Sequence, residues 1–209
     1  MKKIFLFLTA FLFAFETFAQ VDVSAGMGIN YASNSDLNDY INGNFAYGDK
    51  LNSFSTNVEF YGEVAYAVSP TFSLGLEYAM SIFSFSNRVS FNYDLTYNLH
   101  KPSLVAYYVI PGEGYKFKFG GGIGPRFADV VEKIHEDKSY SSVGYGFLLR
   151  GEGHTGLGGN FYAMVAVDMR YDVPGEPKEG DNYLGGEALG GIEVSQLAFG
   201  IKLGVTYTF

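Results

Sequence analysis

Leu197-Ala198-Phe199-Gly200-Ile201-Lys202-Leu203-Gly204-Val205-Thr206-Tyr207-Thr208-Phe209 alternates without a break. Leu197, Phe199, Ile201, Leu203, Val205, Tyr207 and Phe209 fall on one side of an extended strand. Ala198, Gly200, Lys202, Gly204, Thr206 and Thr208 fall on the other. Successive side chains of a strand point to opposite faces, so this strand needs two different environments. If one of them is lipid, the backbone must be paired on both edges, and a closed barrel achieves that.

The opposite end of the chain reads as an export signal. Lys2 and Lys3 precede an apolar run from Ile4 to Phe15, broken only by Thr9, and Thr17 and Ala19 are small residues suited to a cleavage site. Residues 1–19 are expected to be removed, leaving 20–209 as one domain. The run is short for a membrane span and no second apolar helix follows it. Cleavage would remove Lys2, Lys3 and Glu16 and leave the remainder one unit more acidic than the net −8 of the whole chain. The absence of Cys excludes a lipid-modified cysteine, disulfides, thiolate metal sites and a cysteine nucleophile. No basic cluster suggests a nucleic-acid partner. The chain holds 20 Phe and 17 Tyr, and a membrane barrel hides its apolar signal in alternation, because half of each strand is polar.

Seven further segments alternate like the last one. They centre on Val21 to Tyr31, Val58 to Tyr66, Phe72 to Met80, Phe91 to Val109, Tyr115 to Ile123, Val143 to Leu149, and Phe161 to Met169. The fourth is expected to place Phe91, Tyr93, Leu95, Tyr97 and Leu99 outward and Asn92, Asp94, Thr96, Asn98 and His100 inward. Pro102 cannot donate to a ladder, so a face-switching bulge is anticipated there. Links alternate short and long. Val68 to Thr71, Pro111 to Gly114 and Gly153 to Gly159 are short. Ala32 to Ser53, Ser81 to Ser90, Ala128 to Tyr140 and Asp172 to Gly191 are long. Short periplasmic turns and long outer loops have this parity when both termini are periplasmic. Ser35 to Ile41 allows a helical turn or two within the first long link.

The expected fold is therefore all-β: an antiparallel, up-and-down transmembrane barrel of eight strands. Its polar face collects Glu59, Glu63, Glu77 and Asp94 against Lys116, Lys118, Arg126 and Arg150, with Asp168, Arg170 and Lys202 beside them. The rest of that face is mostly small. An eight-stranded barrel has an interior just wide enough for side chains, so the small and paired charged residues belong inside and the bulky apolar ones outside. The lumen is expected to be plugged by paired charges.

The export signal, the alternating segments, the closing Val205-Thr206-Tyr207-Thr208-Phe209 and the glycine-rich Gly120-Gly121-Gly122-Ile123-Gly124-Pro125 together resemble the small outer-membrane β-barrels of the OmpA/OmpX type. The resemblance covers essentially all of 20–209. It implies the outer membrane of a Gram-negative bacterium. Contact with outer-membrane lipid and lipopolysaccharide is implied too, as is recognition of Tyr207 and Phe209 by the barrel assembly machinery. Some such barrels deacylate lipid A with a His and a Ser two residues on. Here His100 is followed by Lys101-Pro102, His135 by Glu136-Asp137 and His154 by Thr155-Gly156. His100 is expected in the lumen, His135 on an outer loop and His154 in a periplasmic turn. No enzyme, cofactor or metal is expected. A structural or surface-interaction role is expected, with acidic outer loops available for binding and a surface or secretion-complex partner left open. A lipid-modifying enzyme with a composite site, or a narrow pore, stands as the alternative.

Overall fold

The fold is drawn from a computed structural model that describes residues 20–45, 50, 55–88, 92–134, 137–186 and 191–209. The expected signal at 1–19, His135 and Phe91 lie outside the described residues. The strands are β1 (Val21–Ser33), β2 (Ser55–Ser69), β3 (Phe72–Asn87), β4 (Tyr93–Gly112), β5 (Tyr115–Lys133), β6 (Asp137–Gly158), β7 (Phe161–Val173) and β10 (Gln196–Thr208). Each pairs antiparallel with its chain neighbour, and β10 returns to pair with β1 from Asp22↔Thr208 to Ser33↔Leu197. The ring is closed over the height of β1, β2, β7 and β10, so no strand edge is left open at that level among the described residues. Two minor strands, β8 (Lys178–Glu179) and β9 (Asn182–Tyr183), form a small hairpin beyond β7.

One end of the barrel carries Gln20, Phe209 and the tight turns. Pro70 and Thr71 join β2 to β3, Glu113 and Gly114 join β4 to β5, and Gly159 and Asn160 join β6 to β7. Gly114 and Gly159 sit at φ 75° and 56°, a backbone that L side chains avoid. The opposite end is taller on one side, because β3 to β6 run on well past the ends of β1, β2, β7 and β10. Much of what reads as loop in the second and third long links is this strand extension. Helix α1 (Ser35–Asn44) follows β1 at the tall end. The Asn34 side chain caps it by accepting from the Leu37 backbone N–H at 3.1 Å, with Asp36 in the first turn.

The outer wall is an apolar belt. Val23, Met27, Ile29, Phe60, Val64, Leu76, Leu104, Phe117, Ile123, Phe147, Val165, Ile201 and Leu203 all face outward and are exposed. The belt gives out upward at Ser84 and Ser86 on β3, His100 and Asn98 on β4, Asp129 on β5 and Ser141 on β6. Above that level the polarity reverses. Leu37, Ile41, Phe83, Tyr93, Leu95, Tyr97, Leu99, Ala128, Val130 and Tyr140 are buried together with Leu184, Ile192 and Val194. The tall wall thus folds like a water-soluble sheet, apolar within and polar without, and α1 with Leu184, Ile192 and Val194 covers its inner face.

Two expectations for β4 are corrected. Tyr93, Leu95, Tyr97 and Leu99 face inward, while Asp94, Thr96, Asn98 and His100 face outward. Pro102 causes no bulge. The β3–β4 register is continuous from Phe72↔Tyr108 to Asn87↔Tyr93. On the β5 side pairing lapses between His100↔Phe127 and Leu104↔Ile123 and resumes in the same register. The missing proline N–H costs ladder bonds on one side without shifting the strand. Alternation tells that two faces differ, not which one is inside; above the belt the outer environment is water, and the choice inverts.

Candidate functional site

Side chains from every strand of the ring meet in the lumen. Nearest the turns, Asp22 on β1 receives Lys116 and Lys118 from β5. Lys116 Nζ lies 2.7 Å from both Asp22 oxygens, and Lys118 Nζ is 2.7 Å from Oδ2. Thr208 donates its hydroxyl to Asp22 Oδ1 at 2.7 Å. The two ammonium groups also sit over the Tyr162 and Tyr107 rings, at 4.9 and 5.4 Å from the centroids.

One level up, His154 on β6 lies between an acid and a hydroxyl. Its Nε2 is 2.9 Å from Glu152 Oε2 and its Nδ1 is 3.2 Å from Thr206 Oγ1, which is 2.8 Å from Ser24 Oγ. Tyr107 donates to Glu63 Oε2 at 2.5 Å and lies 3.3 Å from Glu152 Oε1. His154 was expected in a turn. β6 instead continues to Gly158, which puts His154 inside with its side chain buried.

The middle of the lumen is an interlocked set of charges. Arg150 contacts Glu63, Glu77, Glu152 and Asp168. Arg170 reaches Glu77 Oε1 at 2.7 Å and Asp168 Oδ2 at 3.1 Å. Lys202 pairs with Glu59 and lies 2.8 Å from Asp168. Glu59 also takes Lys101 and accepts from Asn30 at 2.9 Å. Above them Arg126 pairs with Asp172 and donates to Pro102 O at 3.1 Å and Ser103 Oγ at 3.2 Å. Gln196 donates to the other Asp172 oxygen at 3.2 Å.

Small residues make the room. A Cβ at Gly200 would run into Asn30 and Asp168, and one at Gly146 into the Arg126 guanidinium and Asp172. Carboxylates and cations of this set cancel: Asp22, Glu59, Glu63, Glu77, Glu152, Asp168 and Asp172 face Lys101, Lys116, Lys118, Arg126, Arg150, Arg170 and Lys202. Burying a charge costs several kcal/mol, so only close pairing lets so many sit together. Breaking one pair leaves its partner uncompensated.

Glu59, Glu63, Glu77, Lys116, Lys118, Arg126, Arg150, Asp168, Arg170 and Lys202 are thus brought together from the sequence-derived set. Asp94 is not, which corrects the expectation for it. It points outward from the tall wall and meets Arg88 at 3.3 Å. A hydrogen bond from Ser86 and the nearby Arg88 charge hold its carboxyl below the ordinary value. Lys101, Glu152, His154 and Asp172 are lumen residues that sequence reading missed. Strand parity carried unbroken through Pro102 from the outward Leu104 finds Lys101. Extending β6 past Gly153 finds Glu152 and His154.

The upper end of the lumen is closed by the apolar cap. Tyr97 donates to Val194 O at 3.4 Å, which pins residues near 194 over β4. Phe45 stacks on Tyr93 with centroids 3.8 Å apart. Tyr40 of α1 and Tyr93 of β4 both donate to Glu132 Oε1, at 2.8 and 3.0 Å. Burial, with the Glu132 charge beside them, pushes both phenols far above their ordinary range. Tyr207 and Phe209 lie outside the lumen on the closing strand. Their rings meet edge to face at 4.7 Å, and Phe209 N donates to Val21 O at 2.9 Å.

Neither a family model nor a curated protein matches the chain. Solved structures do. Neisserial surface protein A is similar with a TM-score of 0.55 at 13% identity, over 90% of this chain and 97% of that one. Ail, the attachment invasion locus protein of Yersinia pestis, solved in complex with the heparin analogue sucrose octasulfate, is similar with a TM-score of 0.56 at 13% identity, over 91% of this chain and 99% of that one. At such identities the likeness is one of fold, that of the small outer-membrane β-barrels.

Proposed function

We propose that the protein is an integral outer-membrane barrel of a Gram-negative bacterium, exported by residues 1–19. In this reading its lumen is closed and its role is structural or interactive at the cell surface. The observation that carries the reading is the filled lumen: a neutral, interlocked set of charges below, and an apolar cap of α1 with Leu184, Ile192 and Val194 above. Selective ion pathways use rings of one sign or a water-filled bore, and this lumen offers neither. Lipid and lipopolysaccharide surround the belt, the assembly machinery reads Tyr207 and Phe209, and a surface or secretion-complex partner engages the outer end.

The role is not enzymatic in this reading. Glu152, His154 and Thr206 do stand in the order acid, imidazole, hydroxyl, but the Thr206 side chain is wholly enclosed by the lumen. A nucleophile that no ester can approach does no acyl transfer. The outer end is acidic. Asp36, Asp39, Asp129, Asp137, Glu176, Glu179, Asp181 and Glu193 are exposed there against Lys50, Arg88, Lys133, Lys138 and Lys178. A polysulfated ligand such as the one bound to Ail would be repelled, and a cationic partner surface attracted.

Planar-bilayer recording of purified protein tests the closed lumen. Little or no steady conductance is expected. A large, stable conductance step would replace this reading by a pore.

A further inference from the structure

Tyr78 on β3, His100 on β4 and Asp129 on β5 face outward from three neighbouring strands. His100 stands opposite Met80 on one side and Phe127 on the other, at the level where the apolar belt ends. Tyr78 Oη is 2.7 Å from His100 Nδ1. His100 Nε2 is 3.5 Å from Asp129 Oδ2, and the two side chains are 27% and 54% exposed. The imidazole is therefore held at one nitrogen and offers the other, beside a carboxylate, to the outside.

We infer that His100 Nε2 and Asp129 Oδ2 form an open two-ligand site for a divalent cation of the zinc type, with Tyr78 positioning the imidazole. The separation is that of two ligands already in place. Bond lengths near 2.0–2.2 Å at a tetrahedral ion put neighbouring donor atoms about 3.4 Å apart. Imidazole nitrogen with one carboxylate oxygen suits zinc better than magnesium or calcium, which favour oxygen shells. A metal on Nε2 requires the proton on Nδ1, and Tyr78 Oη can accept it at the observed distance. A second partner on the far ring nitrogen is the usual support of a metal-bound imidazole. The remaining coordination positions open outward. At the edge of the belt they would be filled by water or phosphate oxygens. That completion by phosphate rests on the membrane placement proposed above, whereas the cation site rests on the geometry alone.

The test is titration of purified protein with zinc ions in a phosphate-free, non-ionic detergent, read by calorimetry and by the imidazole nitrogen resonances of His100. Wild type should bind one zinc ion here, with the Nε2 resonance shifting. His100→Gln and Asp129→Asn should each weaken binding by roughly a hundredfold or more, and Tyr78→Phe by roughly tenfold. All three changes lie on the outer wall, so strand content by circular dichroism should stay that of wild type and shows that each variant folds. Zinc binding that survives unchanged in His100→Gln or in Asp129→Asn overturns the proposal. So does a wild-type His100 that does not respond to zinc. Because no lipid is present, failure here would not bear on the membrane reading, and a conductance step would not bear on the cation site.

Discussion

Arg150 shows what single residues contribute. It reaches four carboxylates, and its side chain is almost wholly buried. Arg150→Met keeps length and removes the charge, which leaves Glu63, Glu77, Glu152 and Asp168 under-compensated. The expected loss is about 3–5 kcal/mol of stability, measured by denaturant unfolding in detergent. A near-neutral result would mean that water, not Arg150, compensates those acids. Tyr93 gives a pH prediction. Its folded-state pKa is raised, so the fold favours the neutral phenol. Its contribution is complete below the unfolded value of 10.0 and shrinks as pH rises through and beyond it. Tyr93→Phe should cost about 1.5–3 kcal/mol near neutrality through the lost bond to the Glu132 carboxylate. It should also make the alkaline decline of stability shallower; an unchanged decline would mean that the Tyr93 phenol plays no part in it. At this scale the charged positions were legible where parity was regular, as at Glu59, Glu77, Asp168 and Lys202. They were lost where strand ends were misjudged, as at His154, or where the surroundings changed sides, as at Asp94.

β4 is the element that sequence alone misassigned, and the reason is physical. Its odd-numbered positions carry Tyr93, Leu95, Tyr97 and Leu99 near the cap and Lys101 and Ser103 in the lumen. One strand face thus passes from apolar to polar without leaving the interior, because the covering layer changes from α1 with Leu184, Ile192 and Val194 to the charge network. A rule that sends every apolar face to lipid fails above the belt. β7 and β10 stay within the belt, and there the rule works. Val165 lies near the middle of β7's outer face, so Val165→Arg should cost about 2–4 kcal/mol on refolding into bilayers. A change within about 0.5 kcal/mol, the range of ordinary surface substitutions, would place that face in water. At the end of β10, Phe209 makes one backbone bond to Val21 and one ring contact. Its deletion removes little of the ladder, so protein refolded in detergent should melt close to wild type. The amount reaching the outer membrane should fall. Equal membrane levels would count against an assembly role, and a clearly lower melting point would make Phe209 a closure residue.

The molecule as a whole is two storeys within one closed ring. Below, a polar lumen sits inside an apolar belt. Above, an apolar core sits inside a polar wall. The strand number, the closure by the final strand and the parity of short and long links were all legible, because period-two alternation and turn residues report them directly. The height of the β3–β6 wall and the cap were not. They depend on which loop residues fold back over which strand, a long-range pairing that local pattern does not encode. The chain has no cysteine, so single introduced cysteines can each carry a nitroxide at a chosen site. The most direct test compares oxygen and water-soluble nickel accessibility at Leu76, Val165 and Ile201 with that at Ser84 and Thr96, in lipid bilayers. Labels at the first three should meet oxygen and exclude nickel, and those at Ser84 and Thr96 should be reached by nickel. Nickel access at Val165 and Ile201, or lipid-like shielding at Thr96, would contradict the two-storey barrel.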